Sequence, residues 1–297
     1  MSTLQGRQGR DRVLKDALDR LYASFNYPDS ARDPIQIVRR YPRRDDREVV
    51  AFIAAGLAFG RVASVMDSVE RVCAALGSEP AAFVRTFDPA KHGDELRTIG
   101  HRWTRGEDLV GLIWTLRQLI ERDGSLERSF AAGLDAAAPD VEAALEAFSQ
   151  RARAIDLHPA YGRRPRRPGA HYFFSRPSTG SACKRLNLFL RWMVRVDAID
   201  PGGWTSVPAR QLVVPLDTHT IRVGKCLGLT QRVSPGWKMA SEITASLRNV
   251  DAQDPVRYDF ALCHVGMMNA CGFGKPQRDA QCPLKGLCYP KPKRKRS

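Results

Sequence analysis

The chain contains the stretch Gly180-Ser181-Ala182-Cys183-Lys184-Arg185-Leu186-Asn187 and, further on, Pro215-Leu216-Asp217-Thr218-His219-Thr220-Ile221-Arg222-Val223. The first stretch places a glycine turn and a lysine at the start of an amphipathic helix. The second places Asp217 where the N-cap of another helix belongs. A turn of this kind presents backbone N–H groups to a phosphate, here those of Gly180, Ser181 and Ala182. Lys184 and Asp217 are then the candidate residues for chemistry on the molecule that carries the phosphate.

Hydrophobic spacing along the rest of the chain predicts helices only. Apolar residues recur at helical intervals from residue 11 onwards, and in 62–76, 109–120, 184–195, 218–229 and 258–269. Residues 47–59 are apolar nearly all round, which indicates a buried central helix ending near Gly60. An Ala-rich pair of helices is predicted within 129–154, broken near Pro139. No segment shows the sustained alternation of a strand, so the sequence predicts an all-α protein.

The net charge of the chain is +15, from 47 Lys and Arg against 32 Asp and Glu. An arginine-rich proteome would explain a scattered excess, but here the basic residues cluster, in 39–44, 163–167 and 291–296. Clustering favours a polyanionic partner, most commonly nucleic acid. No signal peptide is visible at the N-terminus, and the longest apolar run is too short to span a bilayer. We therefore expect a cytoplasmic, nucleoid-associated protein with no membrane partner.

The helix that begins at Lys184 has a second, basic face. Lys184, Asn187, Arg191 and Arg195 recur at helical spacing, opposite an apolar stripe. Such a face either contacts a phosphate backbone or is merely solvated, and spacing alone does not decide between the two.

The segment from Leu216 to Val223 resembles the V-D-T-H-x-x-R-V signature of helix-hairpin-helix base-excision DNA glycosylases, the endonuclease III superfamily. Residues 180–187 are similar to the hairpin of that superfamily and the helix that follows it. The run from Lys184 to Arg195 resembles more closely the DUF2400 proteins, an uncharacterised bacterial and archaeal branch. The superfamily likeness covers about residues 11–290, but only the last 120 or so carry specific motifs.

This resemblance implies roles for two residues. Lys184 matches the lysine that attacks C1′ of the sugar in bifunctional glycosylases, and Asp217 matches the aspartate that assists the attack and stabilises the cationic sugar. A lysine becomes nucleophilic when burial or a neighbouring cation lowers its pKa. An aspartate before a helix is more commonly just an N-cap, and a lysine at a helix start is usually just solvated. Asp217 is able to serve as cap and catalyst at once.

The sequence departs from the superfamily pattern in three places, of which one is the interval of 32 residues between Lys184 and Asp217, longer than in endonuclease III. Ala182 stands where the hairpin has its second glycine, so the grip on phosphate is in question. Endonuclease III fills the gap in the duplex with a polar residue, whereas this chain has Gly56-Leu57-Ala58-Phe59 at that point. The choice of base therefore cannot be transferred from the superfamily.

The cysteine pattern near the C-terminus is Cys263-x7-Cys271-x10-Cys282-x5-Cys288. The resemblance implies a [4Fe–4S] cluster, because the last three match the first, third and fourth cluster ligands of the superfamily. Cys263 is the candidate for the missing ligand. A zinc site with four cysteines, or with three and His264, is the alternative, and purely structural cysteines are a third reading. Lys285 lies in the loop that the cluster would hold against DNA, whereas Cys226 is expected to be an ordinary buried thiol.

These observations predict a monomeric two-domain helix-hairpin-helix protein that binds double-stranded DNA in a cleft. Residues 33–204 would form a helical domain ending in the hairpin, and the N-terminal helix (1–32) would pack with 205–297. The expected function is excision of a damaged or modified base by Lys184 and Asp217, with AP-lyase activity. The alternatives are a non-catalytic nucleic-acid-binding protein of the same fold and an enzyme that acts on RNA.

Overall fold

The computed structural model describes residues 2–30, 32–268 and 281–288. Within these ranges the chain forms fifteen α-helices, three short 3₁₀-helices and no β-strand, which confirms the all-α prediction. None of the helices described combines the length and apolar character that a membrane-spanning helix needs. The helices are α1 (Ser2–Phe25), α2 (Ile35–Val38), α3 (Arg44–Gly56), α4 (Val62–Leu76), α5 (Pro80–Thr86), α6 (Pro89–His92), α7 (Asp94–Arg97), α8 (Gly106–Asp123), α9 (Leu126–Ala131), α10 (Glu142–Arg153), α11 (His158–Tyr161), α12 (Lys184–Val194), α13 (Thr218–Cys226), α14 (Trp237–Arg248) and α15 (Asp259–Met267).

Helix α3 lies at the centre of the hydrophobic core. Residues 49–55 are almost completely buried, and the helix packs against α2, α5 and α12. The predicted central helix is therefore present, but it ends at Gly56 rather than near Gly60. The ring of Phe173 occupies the space beside Gly56, within 2.8 Å of where a Cβ would stand. The chain then turns away from the helix axis through Leu57 and Ala58 to Gly60, which has φ +106°.

The Ala-rich region forms two helices separated by the Pro139 region, as the sequence predicts. They are α9 and α10, and α10 packs on α9. Helix α14 was not assigned from the sequence. It buries Trp237, Met239, Ile243 and Leu247 along one side. Its apolar residues follow the helical interval, but the preceding Pro235 and Gly236 hide its start.

The N-terminal helix α1 packs against α15, at the opposite end of the chain. The Tyr258 hydroxyl, just before α15, donates to Asp19 Oδ1 at 2.7 Å. The Arg10 guanidinium donates to the Leu227 carbonyl at 2.8 Å, and the ring of Phe25 lies 5.8 Å from that of His264. The predicted association of residues 1–32 with the C-terminal part of the chain thus has physical contacts, while the domain boundaries stay a prediction.

Candidate active site

Lys184 is the first residue of α12, and the turn before it sets its position. Gly180 and Cys183 both adopt left-handed backbone, with φ +79° and +48°. Ala182 does not, so the turn has no need of glycine at the position where the superfamily has one. Cys183 is buried beneath the turn, and Lys184 Nζ donates to the carbonyl of Ala58 at 3.3 Å. The early end of α3 therefore supplies the carbonyl that holds the lysine.

Asp217 is the N-cap of α13, as the sequence predicts. Its Oδ1 accepts hydrogen bonds from the backbone N–H groups of His219 (2.9 Å) and Thr220 (2.8 Å). Capping uses one carboxylate oxygen and leaves Oδ2 for other contacts. That second oxygen accepts a hydrogen bond from the thiol of Cys263 at 3.2 Å. The carboxylate is consequently held in one orientation from two sides.

Helix α15 brings Cys263 to Asp217 because it packs closely on α13. A Cβ at Gly266 would lie 2.7 Å from the Cβ of His219, so the absence of a side chain permits this approach. Asp259 and Cys263 are four residues apart and share one face of α15. The Thr220 hydroxyl lies 3.5 Å from Asp259 Oδ1 on that face. Both α15 side chains therefore face the N-terminal end of α13.

The charges in this region set the protonation of each group. Burial by itself would raise the pKa of Asp217, but the charge of Lys184 and hydrogen bonds from Thr220 and Cys263 outweigh it, and the pKa is lowered. Burial, together with the negative charges of Asp217 and Asp259, raises the pKa of Cys263 well above its usual value. At neutral pH the pocket thus holds an ionised Asp217 and a protonated Cys263 thiol that donates to it.

One pocket contains these groups. Its walls come from α12, α13, α15 and the start of α4, and from the chain just before α2 and just after α3. The lining side chains that carry charge or a thiol are Asp33, Lys184, Arg191, Asp217, Asp259 and Cys263. Lys184 and Asp217, the two residues singled out for catalysis, therefore line one pocket although they are far apart in the sequence.

Arg191 is buried inside the fold, although its helical spacing predicted a position on an outward basic face. Arg191 is 3% exposed, and its guanidinium donates to Asp259 Oδ2 at 2.8 Å and to Asp200 Oδ1 at 3.0 and 3.1 Å. Arg195 is 4% exposed and is paired with three carboxylates (Asp197, Asp200 and Asp254). A buried guanidinium paired with carboxylates does not face a phosphate backbone, so the expected contact of Arg191 with DNA is wrong. The alternative, that Arg191 lies on a solvated face, is wrong for the same reason. A buried arginine needs anionic partners inside the fold, and these aspartates lie far along the chain or beyond the helix.

Burial and the neighbouring charges shift the pKa values of the carboxylates that pair with Arg191 and Arg195. Burial raises the pKa of Asp259 to about 6, although the charge of Arg191 opposes the shift. Burial also raises the pKa of Asp200, although the charges of Arg191 and Arg195 oppose the shift. Conversely, burial would lower the pKa of Arg191, but Asp200 and Asp259 raise it. Arg191 is accordingly a fixed cation at the back of the pocket.

The remaining residues predicted to bind DNA range from half-buried to exposed. Gly180 is exposed, and the N–H groups of Ser181 and Ala182 form no hydrogen bond within the ranges described. Those two amides are thus available to a phosphate. Arg185 lies over the ring of Tyr172, 3.4 Å from its centroid. Lys285 is exposed in the short segment 281–288.

The described C-terminal cysteines lie in different surroundings. Cys263 lies in the pocket with Asp217, and His264 lines the same pocket. Cys271 lies outside the described residues. Cys288 Sγ is 3.0 Å from the Sγ of Cys226, at the end of α13. Among residues 2–30, 32–268 and 281–288, no three His, Cys, Asp or Glu side chains meet in a way that could hold a metal.

Several residues of the site were not predicted from the sequence. Asp259 and Cys263 form an i, i+4 pair that faces Asp217, but Cys263 was assigned to the metal motif. Asp200 closes the turn after α12 and neutralises two arginines of that helix. The two aspartates just after a basic helix, Asp197 and Asp200, were the available signal.

Comparison with protein families identifies the family to which the chain belongs. The family model described as "Protein of unknown function (DUF2400)" matches residues 33–268. No curated protein and no solved structure matched the chain. The match spans the pocket, from Asp33 to Met267, and includes the α12 stretch whose sequence resembles that family. The chain belongs to the DUF2400 family.

Proposed function

We propose that this protein is a DNA glycosylase with AP-lyase activity, which excises a damaged or modified base from double-stranded DNA. One observation carries the proposal: Lys184 and Asp217, at the starts of two helices, line the same pocket with their charges opposed. A lysine and an oriented carboxylate facing one cavity are the groups that nucleophilic attack on a sugar carbon needs.

Each of the two residues has a separate role in the proposed reaction. Lys184 first gives up one proton to solvent, because only the neutral amine has a lone pair for the attack. The neutral amine then forms a bond to C1′ while the bond between C1′ and the base breaks, and the electron pair leaves with the base. The proton that the amine then loses is the one that the base gains. Asp217 stays ionised and stabilises the positive charge that develops on the sugar. Ring opening then gives an imine, from which the lyase step eliminates the 3′ phosphate.

The surroundings of Asp217 suit this role. Two backbone N–H groups and the Cys263 thiol hold the carboxylate, so it does not need to reorient as charge develops. Cys263 is a positioning residue in this scheme, since it touches Asp217 and not the sugar. Arg191 keeps Asp259 in place behind it.

Duplex DNA is the proposed partner because the chain carries a net charge of +15. The free N–H groups of Ser181 and Ala182 are placed to bind a phosphate, as in a helix-hairpin-helix turn, with exposed Lys285 as a second basic contact. The base would have to leave the stack to reach the pocket, which favours damaged over intact pairs. We further propose that the protein is a monomer with two domains. It would bind DNA at the nucleoid, in the cytoplasm.

A metal centre held by the C-terminal cysteines is a separate proposal. A [4Fe–4S] cluster, with zinc as the alternative, would use Cys271, Cys282 and Cys288 as thiolate ligands. We propose Cys226 as the fourth ligand in place of Cys263, because Cys226 lies against Cys288 whereas Cys263 contacts Asp217. Such a centre supplies structural support only and takes no part in the reaction at the pocket.

Metal content tests this assignment without reference to activity. Protein purified without oxygen should contain iron and show the visible absorption of an iron–sulfur cluster, or contain zinc. Cys226→Ser should lose the metal, and the matched variant Cys263→Ser should keep it. Equal metal content in Cys226→Ser and the parent protein would reject Cys226, and metal-free parent protein would reject the centre.

Reductive trapping tests the catalytic proposal. With borohydride present, the protein should become covalently linked to duplexes that carry an abasic site or a suitable modified base. Lys184→Ala should abolish the link. Lys225→Ala is the matched control, since Lys225 lies on α13 and its Nζ also donates to a backbone carbonyl, that of Val233 at 3.1 Å. Absence of trapping and of base release across a screen of modified duplexes would refute the proposal.

A non-catalytic nucleic-acid-binding protein is the alternative function, whether for DNA or for structured RNA. It predicts salt-dependent binding that Asp217→Asn leaves unchanged, with no release of any base. Competition between a DNA duplex and a structured RNA would then identify the ligand.

A further inference from the structure

Three aromatic side chains from distant segments meet at the surface beside the pocket. They are Phe59, Trp103 and Tyr172, and we call them the aromatic platform. The rings of Phe59 and Trp103 are stacked, with centroids 4.6 Å apart and an interplanar angle of 25°. Tyr172 stands edge-on to both at 5.7 Å. Trp103 is 55% exposed and Tyr172 38%, so a large apolar surface faces outward.

The fold holds the platform in a fixed position. Trp103 lies in a tight turn closed by hydrogen bonds between His101 and Thr104, at 3.0 and 2.8 Å. Arg102, in the same turn, has φ +54°, a conformation that costs energy for a residue with a side chain. His101 is buried, and its two ring nitrogens bond to Ser68 Oγ and to the Phe59 carbonyl, each at 2.9 Å. The tryptophan is therefore preorganised rather than placed on a loose loop.

Two arginines flank the rings. The Arg102 guanidinium lies 5.1 Å from the Trp103 centroid, and that of Arg185 lies 3.4 Å from Tyr172 and 5.8 Å from Phe59. Nη1 of Arg185 is buried and has no hydrogen-bond partner within the described part of the chain. Burial lowers the pKa of Arg185 to about 10, which leaves it cationic at neutral pH. Exposed rings bordered by cations fit a ligand that has planar faces and negative charge.

The platform adjoins the candidate active site through the backbone. Phe59 follows Ala58, whose carbonyl binds Lys184 Nζ, and Arg185 is the next residue after Lys184 on α12. Ala58 and Gly60 both line the pocket. A strand with one nucleotide in the pocket would therefore carry its neighbours over these rings.

We propose that the aromatic platform stacks on an unpaired base of the DNA strand, next to the nucleotide whose sugar reaches Lys184. Arg102, which is exposed, would pair with a phosphate beside that base, and Arg185 would support the face of Tyr172. The proposal deepens the glycosylase function and takes its ligand from it, but it requires only binding and no chemistry. Stacking on an aromatic face tolerates any base, so the platform should not select sequence.

Binding of a 12-nucleotide single strand, and of the fully paired duplex of the same sequence, tests the platform at constant salt. Trp103→Ala should weaken binding to the single strand by about 5- to 150-fold, the usual effect of losing one stacked base. The slope of affinity against salt should not change, because no phosphate contact is lost. The paired duplex should lose much less, since its bases are already stacked on each other.

Two further variants serve as controls for misfolding and for the loss of a tryptophan elsewhere. Trp103→Phe keeps a stacking ring and should restore most of the affinity, which a misfolded protein could not do. Trp114→Ala is the matched control, because Trp114 is a half-buried tryptophan that also has an arginine over it, Arg117 at 5.3 Å. Quenching of tryptophan fluorescence by the strand should persist in Trp114→Ala and largely disappear in Trp103→Ala.

The outcomes separate this proposal from the glycosylase proposal. Single-strand binding that depends on Trp103, without any trapping at Lys184, would support the platform and refute the chemistry. Trapping at Lys184 with single-strand affinity unaltered in Trp103→Ala would refute the platform alone. Equal losses on the single strand and the duplex would also reject stacking on an unpaired base.

Discussion

Replacing Arg191 by methionine separates the two roles that this arginine could have. Methionine has a similar length but no charge, so the variant removes the cation with little change of shape. Arg191 donates to Asp200 and to Asp259 at distances between 2.8 and 3.1 Å, and all three side chains are buried. Removing one partner of such a group leaves buried charges without compensation, which costs about 3–5 kcal/mol. That is a large part of the ~5–15 kcal/mol that typically separates the folded and unfolded states.

The cost should depend on pH in a direction that the structure fixes. The pKa of Asp259 is already raised by burial to about 6, and loss of Arg191 would raise it further. A carboxyl group with a raised pKa in the folded protein destabilises that state as the pH rises from the unfolded pKa to the folded one. The free energy lost in Arg191→Met should therefore be larger at pH 7.5 than at pH 5.

Urea denaturation followed by circular dichroism at both pH values measures this loss. Arg185→Met is the control, because Arg185 is on the same helix but forms no ion pair within the described residues. A DNA-contacting Arg191 would behave in the opposite way. Its loss would change the free energy of unfolding by less than about 0.5 kcal/mol and would reduce the salt slope of duplex binding by about one. That result would refute the structural role assigned to the arginine.

Two further predictions concern Asp217 and the packing of α13 on α15. Asp217→Ala removes two capping hydrogen bonds and should lower the free energy of unfolding by about 0.5–2 kcal/mol, whereas Asp217→Asn keeps an acceptor oxygen and should cost less. Because the pKa of Asp217 is lowered in the folded state, the deficit of Asp217→Asn should shrink as the pH falls towards 3 in the same urea experiment; equal losses in both variants would contradict the capping geometry. Gly266→Ala should cost about 1–3 kcal/mol through overpacking against His219, and Gly224→Ala should cost less, since its Cβ would meet the flexible end of Ile243 at 3.1 Å. A thermal-melt series in which Gly266→Ala is neutral would show that the two helices are not in close contact.

Much of the helical framework could be predicted from local sequence alone. Helical spacing located most of the longer helices, and Asp217 was correctly expected to be an N-cap, because capping depends only on the residues of one turn. Short helices such as α5 were missed, since few residues cannot establish a period, and α14 was missed because Pro235 and Gly236 hide its start. The end of α3 was placed one turn too late, because the apolar run continues to Phe59 beyond the last helical residue, Gly56.

The side chains that line the pocket could be predicted only in part. Lys184 and Asp217 were singled out by their motifs, and the fold brings them to one cavity. The polar face of α12 was misread, because spacing along a helix shows which residues share a face but not what that face meets. Arg191 meets Asp200 and Asp259, and this burial follows from how α15 packs.

By itself, the sequence determined the all-α class, the two helix starts with Lys184 and Asp217, and the excess of positive charge. Each of these depends on residue types and on intervals of a few residues, which the chain carries in any conformation. Tertiary structure alone decided that Cys263 lies with Asp217 rather than with Cys288, and that Trp103 faces outward on Phe59. Those contacts join residues 44 or more positions apart, and only the packing of whole helices and turns brings such residues within hydrogen-bonding or stacking distance.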